Sequence, residues 1–271
     1  MVTTGVFLYE RSGSMLPELF SIGPFTVYSY GLMTALGIVA AITVGEHEAK
    51  RSGVGEDGYI LGLGVAAVVG GYVASKLLFW ITILPQIIDN PEIILNYLSN
   101  GFVVFGGLIG GVLTAYLYCR KKNTDFWKTF DLAAPAVALA QCIGRIGCFL
   151  AGCCYGRETE SVFGVVFHAS SYAPTGVKLF PVQLVSSGLD FLNFVFLFFL
   201  WRRAKLKSGM VGAFYIITYS VGRFFLEFFR GDLERGTVGV LSTSQFIAIF
   251  TLLIGIVMLF FRQKSSSSDA I

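Results

Sequence analysis

Long apolar stretches, broken by short polar segments, dominate the chain. Seven runs each supply about 20 mostly apolar residues, the length a helix needs to cross a hydrocarbon core of roughly 30 Å. They lie near Phe25–Gly45, Tyr59–Leu84, Gly101–Cys119, Leu132–Cys153, Val182–Trp201, Met210–Phe229 and Thr243–Phe261. These runs are apolar nearly all round, so helical periodicity adds little. The pattern predicts an all-α, polytopic integral membrane protein of about seven transmembrane helices. Residues 1–264 form one transmembrane domain and the polar segment 265–271 a disordered tail. The longest loop, 154–181, separates spans four and five.

Composition agrees: of the 271 residues 55% are hydrophobic and only 14% charged, and the mean hydropathy is +0.71. A soluble domain carries roughly a quarter charged residues. Met1 to Gly23 holds no basic leader followed by an apolar run, so no cleavable signal is expected. The net charge of +3 is small, and basic residues are not interleaved with aromatics in a polar domain, which argues against a nucleic-acid partner.

Placement of the basic residues orients the chain. One set of loops holds Lys50, Arg51, Arg120, Lys121, Lys122, Lys128, Arg202, Arg203, Lys205, Lys207, Arg262 and Lys264. The opposite set holds only Arg11, Arg157, Lys178, Arg230 and Arg235. Basic residues concentrate in cytoplasmic loops, so the N-terminus is expected outside and the C-terminus in the cytoplasm. An odd number of spans follows, and loop 154–181 falls on the outer side.

Charges inside the spans are the candidate chemistry, because an intramembrane charge needs a partner or a function. Arg145 and Arg223 each lie about 13 residues into an outward-running span, hence roughly 20 Å from the cytoplasmic side. Glu227 shares the face of Arg223 one turn on, and Arg230 follows at the outer boundary. A structural ion pair with Arg145 reaching toward water would account for some of this. Several arginines around one acid leave an unbalanced positive charge, however. The arginine fork suits phosphate oxygens, and a lipid headgroup is the phosphate available at that depth. Tyr30 and the pair Gly106/Gly107 open spans one and three at a similar height. Gly106/Gly110 and Gly107/Gly111 are also small-xxx-small pairs that let helices approach closely.

Of the cysteines, Cys119 and Cys142 read as packing residues. Cys148 lies on the Arg145 face, where a neighbouring cation favours thiolate. Cys153 and Cys154 sit at the outer end of the span and are open to oxidation. The Cys-x5-Cys-x4-Cys-Cys spacing from Cys142 to Cys154 is not that of a zinc site, so neither metal nor cofactor is expected. His47 is far from the arginines, and His168 lies in the long loop, where it is expected to be solvated.

These motifs resemble the prolipoprotein diacylglyceryl transferase family. The ordered matches are Tyr30-Gly31-Leu32-Met33, Gly106-Gly107-Leu108-Ile109-Gly110, Gly144-Arg145-Ile146-Gly147-x-Phe149-x-x-Gly152-x-x-x-Gly156-Arg157, Pro181-x-Gln183-Leu184, Gly222-Arg223-Phe224-x-x-Glu227-Phe228-Phe229-Arg230 and Ser242-x-x-Gln245. The resemblance implies a seven-span enzyme of the bacterial cytoplasmic membrane, with its site open to the outer side. Such enzymes move the diacylglyceryl group of phosphatidylglycerol onto the lipobox cysteine of a prolipoprotein signal peptide and release glycerol phosphate. By the resemblance Arg145 binds the phosphate, Arg223 stabilises charge on the departing group, Glu227 orients Arg223, and Tyr30 positions the headgroup. Gly106, Gly107, Cys148, Gly156 and Arg230 complete the expected substrate-binding set.

The chain also departs from the family pattern. The histidine usually preceding the glycine pair of span three is Phe105, and the asparagine three after the first arginine is Cys148. The acid expected near the end of that run is Cys153, and Val185-Ser186 replaces a Tyr-Glu pair. The phosphate-binding half is kept and the acceptor-activating half is altered. Two alternatives therefore stand beside the family reaction: a phospholipid-dependent transferase with another acceptor, and a non-catalytic lipid- or anion-binding or transport protein. Repeated halves and broken helices, which mark many transporters, are not evident.

Overall fold

The computed structural model describes residues 17–22, 25–97, 101–168, 170, 172–231 and 237–264. Arg11, Arg235 and the tail 265–271 lie outside these residues. The chain is mostly helical. A hairpin of β1 (Glu18–Ile22) and β2 (Phe25–Tyr28) leads into α1 (Ser29–Ser52). α2 (Tyr59–Thr82), the short α3 (Leu84–Asp89) and α4 (Ile93–Asn96), α5 (Val104–Lys121) and α6 (Phe126–Ala151) follow. The long loop carries the two-residue strands β3 (Val165–Val166) and β4 (Lys178–Leu179). Then come α7 (Val182–Arg203), α8 (Met210–Leu226) with a 3-10 turn at Glu227–Phe229, β5 (Thr237–Val238), β6 (Leu241–Ser242) and α9 (Thr243–Lys264).

Among the described residues five helices, α1, α2, α6, α7 and α9, are long and apolar enough to cross a membrane. The other two expected spans correspond to α5, which ends in Arg120 and Lys121, and α8, which has 17 residues before its 3-10 turn. One boundary needs correction. Phe25–Tyr28 is a strand, so the first long helix starts at Ser29 and runs on to Ser52. The alternating pairing with Glu18–Ile22 captures residues that an apolar window assigns to the helix.

The described residues form two compact units. One is Val44–Thr129. Here α2 and α5 meet through glycines: a Cβ at Gly110 would lie 2.2 Å from the Ala74 Cβ, and one at Gly71 would lie 2.9 Å from the Gly107 carbonyl. Only small residues allow backbones this close. The intramembrane Lys76 is held by the carbonyls of Tyr97 and Gly101 and lies 4.4 Å over the Phe102 ring.

The other unit joins the segment up to Thr43 with the chain from Phe130 onward. α1 approaches α6 at Gly37 and Gly147, where an added Cβ would lie 3.0 Å from the Ala140 carbonyl and 2.9 Å from the Met33 Cβ. α7 is tied to α6 by the Ser187 hydroxyl donating to the Cys142 carbonyl at 2.9 Å. α8 meets α9 through Ser220 and Thr251, whose hydroxyls are 2.7 Å apart. The α8 N-terminus is anchored by buried Asp131, whose carboxylate accepts from Gly209 N at 2.6 Å and Gly212 N at 2.7 Å. A carboxylate there meets unpaired amides and the positive end of the helix dipole together.

Candidate functional site

A pocket in this second unit brings together polar residues of α6, α7 and α8. Arg145 and Arg223 both line it, with Ser186, Asp190, Asn193, Thr218, Tyr219 and Gly222. Arg223 is the better anchored of the two arginines. Its guanidinium lies 2.9 Å from a Glu227 carboxylate oxygen and donates to Ser244 Oγ of α9 at 2.8 Å. The Glu227 and Arg223 side chains are only 8% and 15% exposed, so little water screens the pair. Glu227 lies just beyond α8, in the 3-10 turn, still one turn from Arg223.

Sequence reasoning found one acid for these arginines; folding supplies a second. Asp190 of α7 is buried, accepts from Ser186 and interacts electrostatically with Arg145. Its Oδ2 has no hydrogen-bond partner among the described residues. The signal was present in the sequence, since Asp190 is an ionisable residue inside an apolar span. Arg223 feels both Arg145 and Arg230, while Glu227 sits beside Arg223 and Asp190 beside Arg145. Thr218 donates to Asn193 at 2.7 Å and braces α8 on α7 at the pocket wall.

Other expected site residues are placed differently. Tyr30 lies in the first turn of α1 with its side chain half exposed and its backbone against Gly147, outside the pocket lining. Gly106 and Gly107 belong to the Val44–Thr129 unit and line the close approach of α5 to α2; Phe105 beside them is 46% exposed. Gly156 pairs its backbone with Arg230 in a bridge. A Cβ there would lie 2.2 Å from the Phe180 carbonyl and 2.9 Å from that of Phe229, so glycine permits the crossing of three strands of chain. His168 is exposed.

The end of α6 holds the feature that spacing concealed. Gly152 adopts φ +72°, Gly152 N donates to the Phe149 carbonyl at 3.1 Å, and Cys153 N donates to the Cys148 carbonyl at 3.1 Å. This is a Schellman end with glycine at the left-handed position, and it folds Cys153 back over Cys148. Cys154 follows at φ 58°, uncommon for a residue with a side chain. The three sulfurs thereby come within 4.8 Å of one another. Hydrogen bonds from Cys148 and Cys153, aided by Arg230, hold the Cys154 thiol well below the ordinary thiol range. Gln183 at the start of α7 fixes the turn by donating to the Cys153 carbonyl at 2.9 Å. From the long loop, Ser170 Oγ contacts the carbonyls of Ala151 and Gly152, each at 3.3 Å. Phe167, Leu179 and Ala173 form a small buried core in that loop, against Phe149 and Tyr155.

Comparison with known proteins places the chain in a family. The family described as Prolipoprotein diacylglyceryl transferase matches residues 17–261. A phosphatidylglycerol–prolipoprotein diacylglyceryl transferase of Clostridium tetani is 50% identical over 242 residues, covering 89% of this chain and 96% of the relative. The transferase 2 of Clostridium perfringens is 43% identical over 245 residues, 90% of this chain and 93% of the relative. A Bacillus cereus transferase of the same name is 31% identical over 253 residues, 92% of each chain.

Proposed function

Because the chain belongs to the prolipoprotein diacylglyceryl transferase family, we propose that it transfers the diacylglyceryl group of phosphatidylglycerol to the lipobox cysteine of prolipoproteins. It acts in lipoprotein biogenesis in the bacterial cytoplasmic membrane. The observation that carries this reading is one pocket lined by both Arg145 and Arg223, with Arg223 fixed by Glu227 and Ser244.

In this reading the lipid phosphate meets Arg145 and Arg223. The C–O bond between the diacylglyceryl carbon and the phosphate breaks as the acceptor sulfur forms its C–S bond. Negative charge grows on the departing glycerol phosphate. Fixed guanidinium groups in a poorly screened pocket stabilise that charge without reorganising. Glu227 and Ser244 hold the Arg223 plane, Asp190 offsets Arg145 before the lipid arrives, and Arg230 adds positive potential. The family resemblance, rather than the pocket lining, assigns Tyr30 of α1 to the headgroup. Gly222 leaves space where a phosphate oxygen could sit, since nothing lies within 4 Å of a Cβ built there.

Seven spans accompany this reading, counting α5 and α8; α8 with its 3-10 turn reaches the roughly 20 residues a span requires. The bias of basic residues supports an outside N-terminus, a cytoplasmic C-terminus and a site facing outward. The test is an assay of purified protein with phosphatidylglycerol and a lipobox peptide, read by mass spectrometry. A diacylglyceryl adduct on the peptide cysteine is expected. Lack of an adduct, with a relative active in parallel, would overturn the assignment.

A further inference from the structure

Transfer to a thiol requires a thiolate, and Phe105, where the family resemblance leads one to expect a histidine, cannot take a proton. The cluster at the end of α6 offers a different route. Cys148, Cys153 and Cys154 converge from a single helix end, their sulfurs within 4.8 Å of one another. In a tetrahedral zinc site with Zn–S bonds of about 2.3 Å, sulfurs lie about 3.8 Å apart, so only a small contraction separates the cluster from that geometry. The end is braced by its Schellman bonds, Gln183 and Ser170. A cysteine is also held in the left-handed region at position 154, a conformation more common where function constrains the chain.

Charge fits as well. Three thiolates around a divalent zinc ion carry one net negative charge. Arg145 interacts electrostatically with Cys148 and Cys154, and Arg230 hydrogen-bonds Cys154. Three protein ligands also match a catalytic zinc site, whose fourth position takes water or substrate, rather than a closed structural site with four. Gln183 Oε1, on a side chain only 2% exposed, has no hydrogen-bond partner among the described residues.

We propose that Cys148, Cys153 and Cys154 bind a zinc ion whose fourth position receives the acceptor cysteine and turns it into the attacking thiolate. This rests on the transfer reaction proposed above. A thiol that coordinates zinc is deprotonated outright, and its proton passes to water. The zinc-bound sulfur then forms the C–S bond while the C–O bond to phosphate breaks, and glycerol phosphate leaves with that electron pair. No oxidation occurs, and the zinc keeps its charge throughout. The inference departs from what cysteine spacing alone suggests, because a Schellman turn rather than a Cys-x2-Cys loop gathers the ligands.

The experiment uses the purified full-length protein, reduced, in detergent. Zinc content is measured directly, and Co2+ is added as a spectroscopic probe of thiolate ligands. About one zinc per chain is expected, with a sulfur-to-cobalt charge-transfer band that shifts when lipobox peptide is added. Cys148→Ser, Cys153→Ser and Cys154→Ser should each reduce bound metal to background and transfer by about a hundredfold or more, the scale of losing acceptor deprotonation. Cys119→Ser, in the other unit, should change neither. A reduced protein that binds no Zn2+ or Co2+ would overturn the inference. So would a metal-free protein at full activity, or one whose intact mass shows a disulfide among the three cysteines with transfer unchanged. Those results leave the transferase reading standing. Metal binding that needs all three cysteines, without any transfer to peptide, would instead overturn the transferase reading.

Discussion

Asp190 of α7 and Arg145 of α6 line the same pocket and interact electrostatically although they lie on separate helices. The carboxylate gives Arg145 a counter-charge while leaving one oxygen without a hydrogen-bond partner among the described residues. Asp190→Asn keeps the shape and removes the charge. Contacts to charged groups contribute about 1.5–3 kcal/mol, so transfer should fall roughly ten- to hundredfold with the protein still folded. Initial rates at saturating phosphatidylglycerol measure this, and an unchanged rate would remove Asp190 from the site.

Arg223 offers a sharper substitution. Its guanidinium engages Glu227 and Ser244 while lining the pocket. Lysine supplies a charge but no planar fork. Arg223→Lys is expected to lower the rate by about a hundredfold, the scale of losing one fixed donor to developing charge. Glu227→Gln should show a milder loss, because Ser244 still restrains the arginine. Side-by-side rates would reverse this ranking if Glu227, rather than Arg223, contacts the substrate.

Two motif glycines should part company. At Gly156 a Cβ would strike the Phe180 and Phe229 carbonyls, both backbone. Gly156→Ala should therefore destabilise the fold by about 3 kcal/mol or more, at or beyond the upper end of overpacking costs. Gly222→Ala meets nothing within 4 Å and intrudes only on the pocket. It should unfold at the wild-type temperature in detergent yet need more phosphatidylglycerol for half-maximal rate. Equal thermal stability of the two variants would contradict this division.

Asp131 tests a part of the fold outside the motifs. It accepts from Gly209 N and Gly212 N at the start of α8. Asp131→Ala should lower stability by about 1–2 kcal/mol, as for loss of a helix N-cap, with transfer per folded molecule little changed. A thermal melt and an activity measurement on the same sample separate the two effects.

These relationships explain what could be read from the sequence. Long apolar runs locate the helices because the bilayer requires uninterrupted apolar length. Arg145 and Arg223 stand out because charge within such runs is costly, and the pocket joins them. Asp190 carried the same signal in a span otherwise rich in phenylalanine. The hairpin ending at Tyr28 was hidden because β-paired and helical apolar residues look alike over so short a stretch. The cysteine cluster was hidden for another reason. Its neighbours meet through the reversal at Gly152, which metal-site spacing rules do not represent. Gly106 and Gly156 were hidden in the same way: a family motif marks both, and only three-dimensional contacts show that a side chain would collide with backbone at each.

The central claim is that Arg145 and Arg223 together hold the leaving phosphate. Its most direct test is the transfer rate of Arg145→Ala and Arg223→Ala against wild type, in matched amounts of folded protein with phosphatidylglycerol and a lipobox peptide. Loss of adduct formation in both variants is the predicted result; full activity in either would contradict the account.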